Sequence, residues 1–177
     1  NCGYKEMFTL KKTIFAGIIS LLGMGEALAS GPKLIGEYKD WIAYYYDDPR
    51  GMVCYIASTP KKDEGKYTRR GDIYVVVTHR PAEDSFDVVN FVAGYDYKAG
   101  APVEIKIGTT TITDLFTEGD KAWTLNSSVD KELVSEMKKG QRMIVKGVSS
   151  KGTVTKDTYS LSGFMSAYRA INAKCKR

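Results

Sequence analysis

Apolar residues in this chain recur mostly at every second position, in short runs cut by glycine, proline and charged turns. That pattern predicts strands. Residues 37–46 carry Tyr38, Trp41, Ile42 and the run Tyr44-Tyr45-Tyr46, all types that suit a pleated, half-buried surface. Asp47-Asp48-Pro49-Arg50-Gly51 reads as a turn, and residues 52–58, with Cys54 inside them, as the next strand. Residues 59–70 are polar and charged and read as a long exposed loop. Residues 73–78 are apolar on both faces, which predicts a central strand, and residues 86–93 follow as its neighbour after a loop. Residues 103–107, 109–116 and 122–125 give three more strands, with Thr117-Glu118-Gly119-Asp120 as a turn. Residues 142–148 and 154–161 are joined by Ser149-Ser150-Lys151-Gly152, a hairpin signal.

Two segments change to helical spacing. Val129, Leu133, Val134 and Met137 fall on one face, with Ser128 as the expected N-cap and Gly140 after the end. Phe164, Tyr168, Ile171 and Cys175 form a second continuous stripe, with Ser162 as the expected cap. A strand roughly every ten residues is the cadence of a two-layer β fold. The expected class is therefore mainly β: an antiparallel β-sandwich or barrel-like domain with one short internal helix and a C-terminal helix. No repeat or linker divides residues 30–177, which read as a single β-rich domain.

The first 29 residues read differently. Met7-Phe8-Thr9-Leu10-Lys11-Lys12 makes a positive start, residues 13–24 are uncharged and mostly apolar, and Ala27-Leu28-Ala29 offers a small-x-small cleavage pattern before Ser30. An apolar run this short falls below the roughly 20 residues needed to span a bilayer, so it reads as a secretory signal peptide, with residues 1–6 as an upstream extension. The expected product is exported and not membrane-spanning.

Removing that segment changes the composition. Of 26 basic and 21 acidic residues in the 177-residue chain, Lys5, Lys11, Lys12, Glu6 and Glu26 are lost, and the net charge moves from +5 to +4. Cys2 goes too, leaving Cys54 and Cys175. An even pair in an oxidising compartment favours a disulfide; two separate buried thiols are the alternative. Charge is also unevenly spread, because residues 138–177 hold ten basic residues against Asp157 alone. Lys138, Lys139, Arg142, Lys146, Lys151, Lys156, Arg169 and Lys174 are the candidates for a basic contact surface toward an anionic or protein partner. Solvated strand and helix faces that average out in space are the plainer reading.

Catalytic patterns are sparse. His79 is the sole imidazole and stands beside Arg80 rather than an orienting carboxylate, so a structural or surface histidine is expected. The chain has no G-x-S-x-G elbow, no phosphate-binding glycine loop and no EF-hand spacing. The carboxylate groups Asp47-Asp48, Asp84 with Asp87, and Glu118 with Asp120 read as turn and surface residues. Arg70-Gly71-Asp72 spells an integrin-type tripeptide, yet it directly precedes the expected central strand and reads as a turn into it. Twelve tyrosines leave room for an aromatic contact surface. No cofactor, metal or nucleic-acid partner is expected, and the expected answer to catalysis is that there is none.

Longer words in the chain point further. Residues 57–62 (Ala-Ser-Thr-Pro-Lys-Lys), Arg70-Gly71-Asp72-Ile73-Tyr74, Val77-Thr78-His79-Arg80-Pro81 and Phe91-Val92-Ala93-Gly94-Tyr95 resemble the invasion-associated locus B family of alpha-proteobacteria. So do Leu115-Phe116-Thr117, Gly119-Asp120, Ala122-Trp123 and the run from Asp157 to Phe164, ending in Ala170-Ile171 and Cys175. The resemblance implies an exported cell-envelope protein, periplasmic or outer-membrane associated, linked with invasion of host erythrocytes through protein or surface contacts. It implies no catalytic residue set. A periplasmic ligand-binding or envelope-integrity module, with an indirect effect on invasion, is the alternative.

Overall fold

The computed structural model describes residues 31–177; the expected signal peptide and its upstream extension lie outside them. In chain order the elements are β1 (Lys33–Tyr38), β2 (Trp41–Asp48), β3 (Gly51–Ser58), β4 (Lys62–Gly65), β5 (Tyr74–Arg80), β6 (Ser85–Val92), β7 (Glu104–Ile107), β8 (Thr110–Ile112), β9 (Leu115–Glu118) and β10 (Lys121–Thr124). Helix α1 (Ser127–Lys139), β11 (Arg142–Val148), β12 (Val154–Ser160) and helix α2 (Phe164–Lys174) complete the chain. Among the described residues no helix is long and apolar enough to cross a membrane.

The strands form two antiparallel sheets, one of seven in the order β1-β2-β3-β5-β6-β10-β9 and one of five in the order β4-β12-β11-β7-β8. Both present an apolar face to one shared core, which is the expected sandwich rather than a closed barrel. Val75, Val77, Val89, Phe91 and Ala122 supply the core side of the larger sheet, and Ile105, Ile107, Met143, Val145 and Tyr159 that of the smaller. Helix α1 packs along β6, and α2 lies over β1, β2 and β3. The α2 contact is aromatic: the Phe164 ring meets the Trp41 ring edge-on at 4.9 Å.

Several boundaries differ from expectation. The segment 37–46 is split at Lys39, whose φ of 56° turns the chain between β1 and β2. The loop 59–70 contains β4, an all-polar edge strand paired with β12. The segment 109–116 divides between the two sheets, β8 joining the smaller and β9 the larger. Asn126, not Ser128, caps α1, its side chain accepting from the Ser128 and Val129 amides at 3.0 and 3.1 Å. Ser162 does not cap α2 either. Gly163 precedes that helix at φ 91°, and a Cβ there would overlap the Tyr38 carbonyl oxygen.

The last link is covalent. Cys54 on β3 and Cys175 after α2 form a disulfide across a Cα–Cα distance of 6.1 Å, tying the C-terminus to the sheet as the cysteine count predicted.

Candidate functional site

His79 illustrates how a reactive residue type is committed to structure. It sits on the core side of β5 directly opposite Cys54 and is completely buried. Its Nδ1 accepts the Asp87 amide at 3.1 Å, which leaves the proton on Nε2 to be donated to Asn172 Oδ1 at 2.8 Å. Burial pushes its pKa below the ordinary value, so the ring is held neutral. Asp87 beside it adopts φ 63° and accepts from the Tyr168 hydroxyl at 2.8 Å and from the Arg177 guanidinium. Burial raises the Asp87 carboxyl, but these two donors outweigh it and hold the group ionised. Together these bonds fasten the end of α2 to β5 and β6, alongside the disulfide. Among the described residues no group of three or more His, Cys, Asp or Glu side chains could hold a metal ion.

The eight candidate basic residues do not gather on one face. Arg142, Lys146 and Lys156 lie on the outer face of the smaller sheet. There Glu64, Lys156, Lys146 and Glu104 stand opposite one another across four strands. Lys156 pairs with Glu64 at 3.2 Å and Lys146 with Glu104 at 2.8 Å, so two adjacent cations are each offset by an acid. Lys139 pairs with Glu136 within α1 at 3.2 Å. Lys138 and Lys174 lie 3.9 Å over the rings of Tyr168 and Tyr45. Arg169 is exposed on α2, and Lys151 sits at the β11–β12 turn.

The outer face of the larger sheet is of opposite character. Register places Phe116, Trp123, Asn90, Val76, Ala57 and Ile42 in one row across six strands. The adjoining row runs Val88, Thr78, Tyr55, Tyr44. Two stacked aromatic pairs stand on this face, Phe116 with Trp123 and Tyr44 with Tyr55, each at 5.3 Å between centroids. Phe116 is 47% exposed, and the other residues of both rows are half-buried by one another. No charge occurs in either row between β2 and β9; the first row ends on β1 in Glu37. Glu37, Glu118 and Lys121 stand at the margin, opposite Ile42, Lys121 and Val92 respectively. Antiparallel sheets normally carry polar residues on a solvated face, and the smaller sheet does so. The tyrosine-rich composition allowed such a surface, but only the register locates it.

At one end of the sandwich, three segments enclose a cleft of about 530 Å³: residues 66–70 before β5, Tyr95 and Asp96 after β6, and the turn between β11 and β12. Its floor includes Arg70, which forms a bidentate ion pair with the buried Asp157 behind it, both bonds 2.6 Å, with the side chains 3% and 5% exposed. The Arg70 Nε also donates to the Ala93 carbonyl at 2.7 Å. Its guanidinium lies over the rings of Tyr95 and Tyr67, at 4.9 and 5.5 Å. Burial pushes the Asp157 carboxyl upward and the Arg70 bonds oppose it. Within the Arg-Gly-Asp tripeptide Arg70 is thus an internal anchor, and the Gly71 amide donates to the Gly94 carbonyl at 2.9 Å, while Gly71 and Asp72 are exposed.

The sequence model of the family described as Invasion associated locus B (IalB) protein matches residues 41–172, from the first residue of β2 into α2. No curated protein and no solved structure matches the chain.

Proposed function

We propose that this chain, which belongs to the invasion-associated locus B family, is an exported, non-enzymatic cell-envelope protein that promotes invasion of host cells, erythrocytes among them. It acts by direct contact, through the outer face of the seven-stranded sheet, with a protein partner. The observation that carries this reading is the distribution of charge on that face. Two rows of mainly aliphatic and aromatic side chains, with Asn90 and Thr78 as their polar members, hold no charge from β2 to β9, while Glu37, Glu118 and Lys121 stand at the margin. A face depleted of charge, carrying two aromatic pairs and with charges at its margin, has the make-up of a protein–protein interface. The commitment of both His79 nitrogens to internal bonds supports a non-catalytic role. The Cys54–Cys175 disulfide supports residence in an oxidising compartment.

A second reading, a periplasmic ligand-binding module whose effect on invasion is indirect, is favoured by the cleft, whose lining carries Lys66, Arg69 and Lys151 against Asp96. Protease shaving of intact bacteria separates the two. Direct contact requires that external protease degrade this domain while a periplasmic marker survives; full protection of the domain contradicts it.

A further inference from the structure

We propose that the cleft between the β4–β5 connection, the β6–β7 loop and the β11–β12 turn is a binding site for an anionic saccharide, a sugar carrying a phosphate or carboxylate. The inference stands apart from the contact face on the larger sheet, with which the cleft shares no aromatic pair.

Charge comes first. Lys66, Arg69 and Lys151 line the cleft, are exposed, and form no ion pair among the described residues. This contrasts with Lys139, Lys146 and Lys156, each of which has an acidic partner. Arg70 and Asp157 cancel each other in the floor, so they neither attract nor repel an anion. Asp96 is the one remaining carboxylate in the lining, which leaves a surplus of two positive charges over the opening. That surplus selects an anion.

The rest of the lining selects for hydroxyl groups. Thr68 and Ser150 present side chains that both donate and accept, and Asp96 is an acceptor suited to a sugar hydroxyl. A volume of about 530 Å³ lies within the range of small-molecule sites and matches one or two sugar rings better than an extended polymer.

The walls are built before any ligand arrives. The Ser150 amide donates to the Asp96 carbonyl at 2.7 Å, joining the turn to the loop. Within the turn, the Thr153 amide donates to Ser149 Oγ at 3.1 Å. Tyr95 is held by a 2.6 Å hydrogen bond to Thr155 and by Gly147, where a Cβ would come within 2.7 Å of the Tyr95 hydroxyl oxygen. A site whose walls are tied in this way loses little conformational entropy on binding.

The test is calorimetric titration of the purified, oxidised protein with glucose 6-phosphate, glucuronate, glucose and inorganic phosphate. Glucose 6-phosphate or glucuronate should bind with a dissociation constant of about 1 mM or below, and glucose and inorganic phosphate at least about tenfold more weakly. Which of the two anionic sugars binds identifies the anion. The triple variant K66Q/R69Q/K151Q should weaken binding about tenfold or more. The charge-matched variant K106Q/R142Q/R169Q, whose residues lie elsewhere on the surface, should stay within about twofold of the parent. Four results overturn the proposal: no binding of either anionic sugar at about 10 mM, equal binding of glucose, inorganic phosphate as tight as the anionic sugar that binds, or equal loss in the two triple variants.

Discussion

Reduction of the Cys54–Cys175 disulfide, or its replacement by C54S with C175S, should lower the unfolding free energy by about 4 kcal/mol. The two cysteines are 121 residues apart, and the bond closes most of the domain into one loop. A cross-link over so long a stretch removes more chain entropy from the unfolded state than a local one, which sets that magnitude. Both cysteines are buried, so the loss comes with little new exposure in the folded state. The midpoint of thermal unfolding should fall by about 8–16 °C for a domain of this size. Circular dichroism melting with and without reductant measures it. A midpoint unchanged within about 2 °C would show that α2 is held by its other contacts alone. Those are the Trp41–Phe164 packing and the bonds of His79 and Asp87 to Asn172, Tyr168 and Arg177.

Arg70→Ala has an expected cost of similar size through a different cause. Asp157 would keep its burial and lose both guanidinium bonds, leaving an uncompensated carboxylate between the sheets. Breaking one side of a buried pair typically costs about 3–5 kcal/mol. The Ala93 carbonyl would lose its donor as well. Arg70→Lys retains charge but not the planar fork, and should fall between the parent and the alanine variant. The double change R70L/D157L removes both charges and should recover much of the loss, because well-packed apolar residues can replace a buried pair. Urea denaturation of the four proteins decides this. A double variant no more stable than Arg70→Ala would locate the cost in the Ala93 bond and the Tyr67 and Tyr95 contacts rather than in the stranded charge.

Strands with an alternating or wholly apolar pattern were legible, because burial on one or both faces writes its period into the sequence. Strand β4 was not, since Lys-Asp-Glu-Gly has no apolar side chain and is held at the sheet edge by backbone pairing with β12. The division between β8 and β9 was hidden inside one unbroken strand-like run, because which sheet a strand joins is a tertiary decision. Helix caps were misplaced for a local reason: two serines follow Asn126, and the nearest one to the apolar stripe was the natural choice. The disulfide followed from cysteine arithmetic. The cleft could not be read in advance, because its three walls come from residues 66–70, 95–96 and 149–155, and its floor pairs residues 87 positions apart. The basic last forty residues are a parallel lesson. Although these residues are close in sequence, Lys146 and Lys156 go to one sheet face and Lys138 and Lys174 to the two helices.

In the proposed function, the uncharged face of the seven-stranded sheet is the surface through which the protein promotes invasion. Tyr55 and Trp123 belong to its two stacked pairs, and both side chains point away from the core. Lysine at such positions is tolerated by an antiparallel sheet, whose solvated face is ordinarily polar. Inside an interface, by contrast, a charge left unpaired on association costs several kcal/mol. The decisive measurement is host-cell invasion by bacteria carrying the double variant Y55K/W123K, with Ile144→Lys on the opposite, charged sheet face as the matched control. Protein amount and melting temperature are measured alongside. The expected result is invasion reduced about tenfold or more by the double variant, at normal protein amount, with the Ile144→Lys strain unaffected. Invasion by the stable double variant at the parental level would exclude this face as the contact surface.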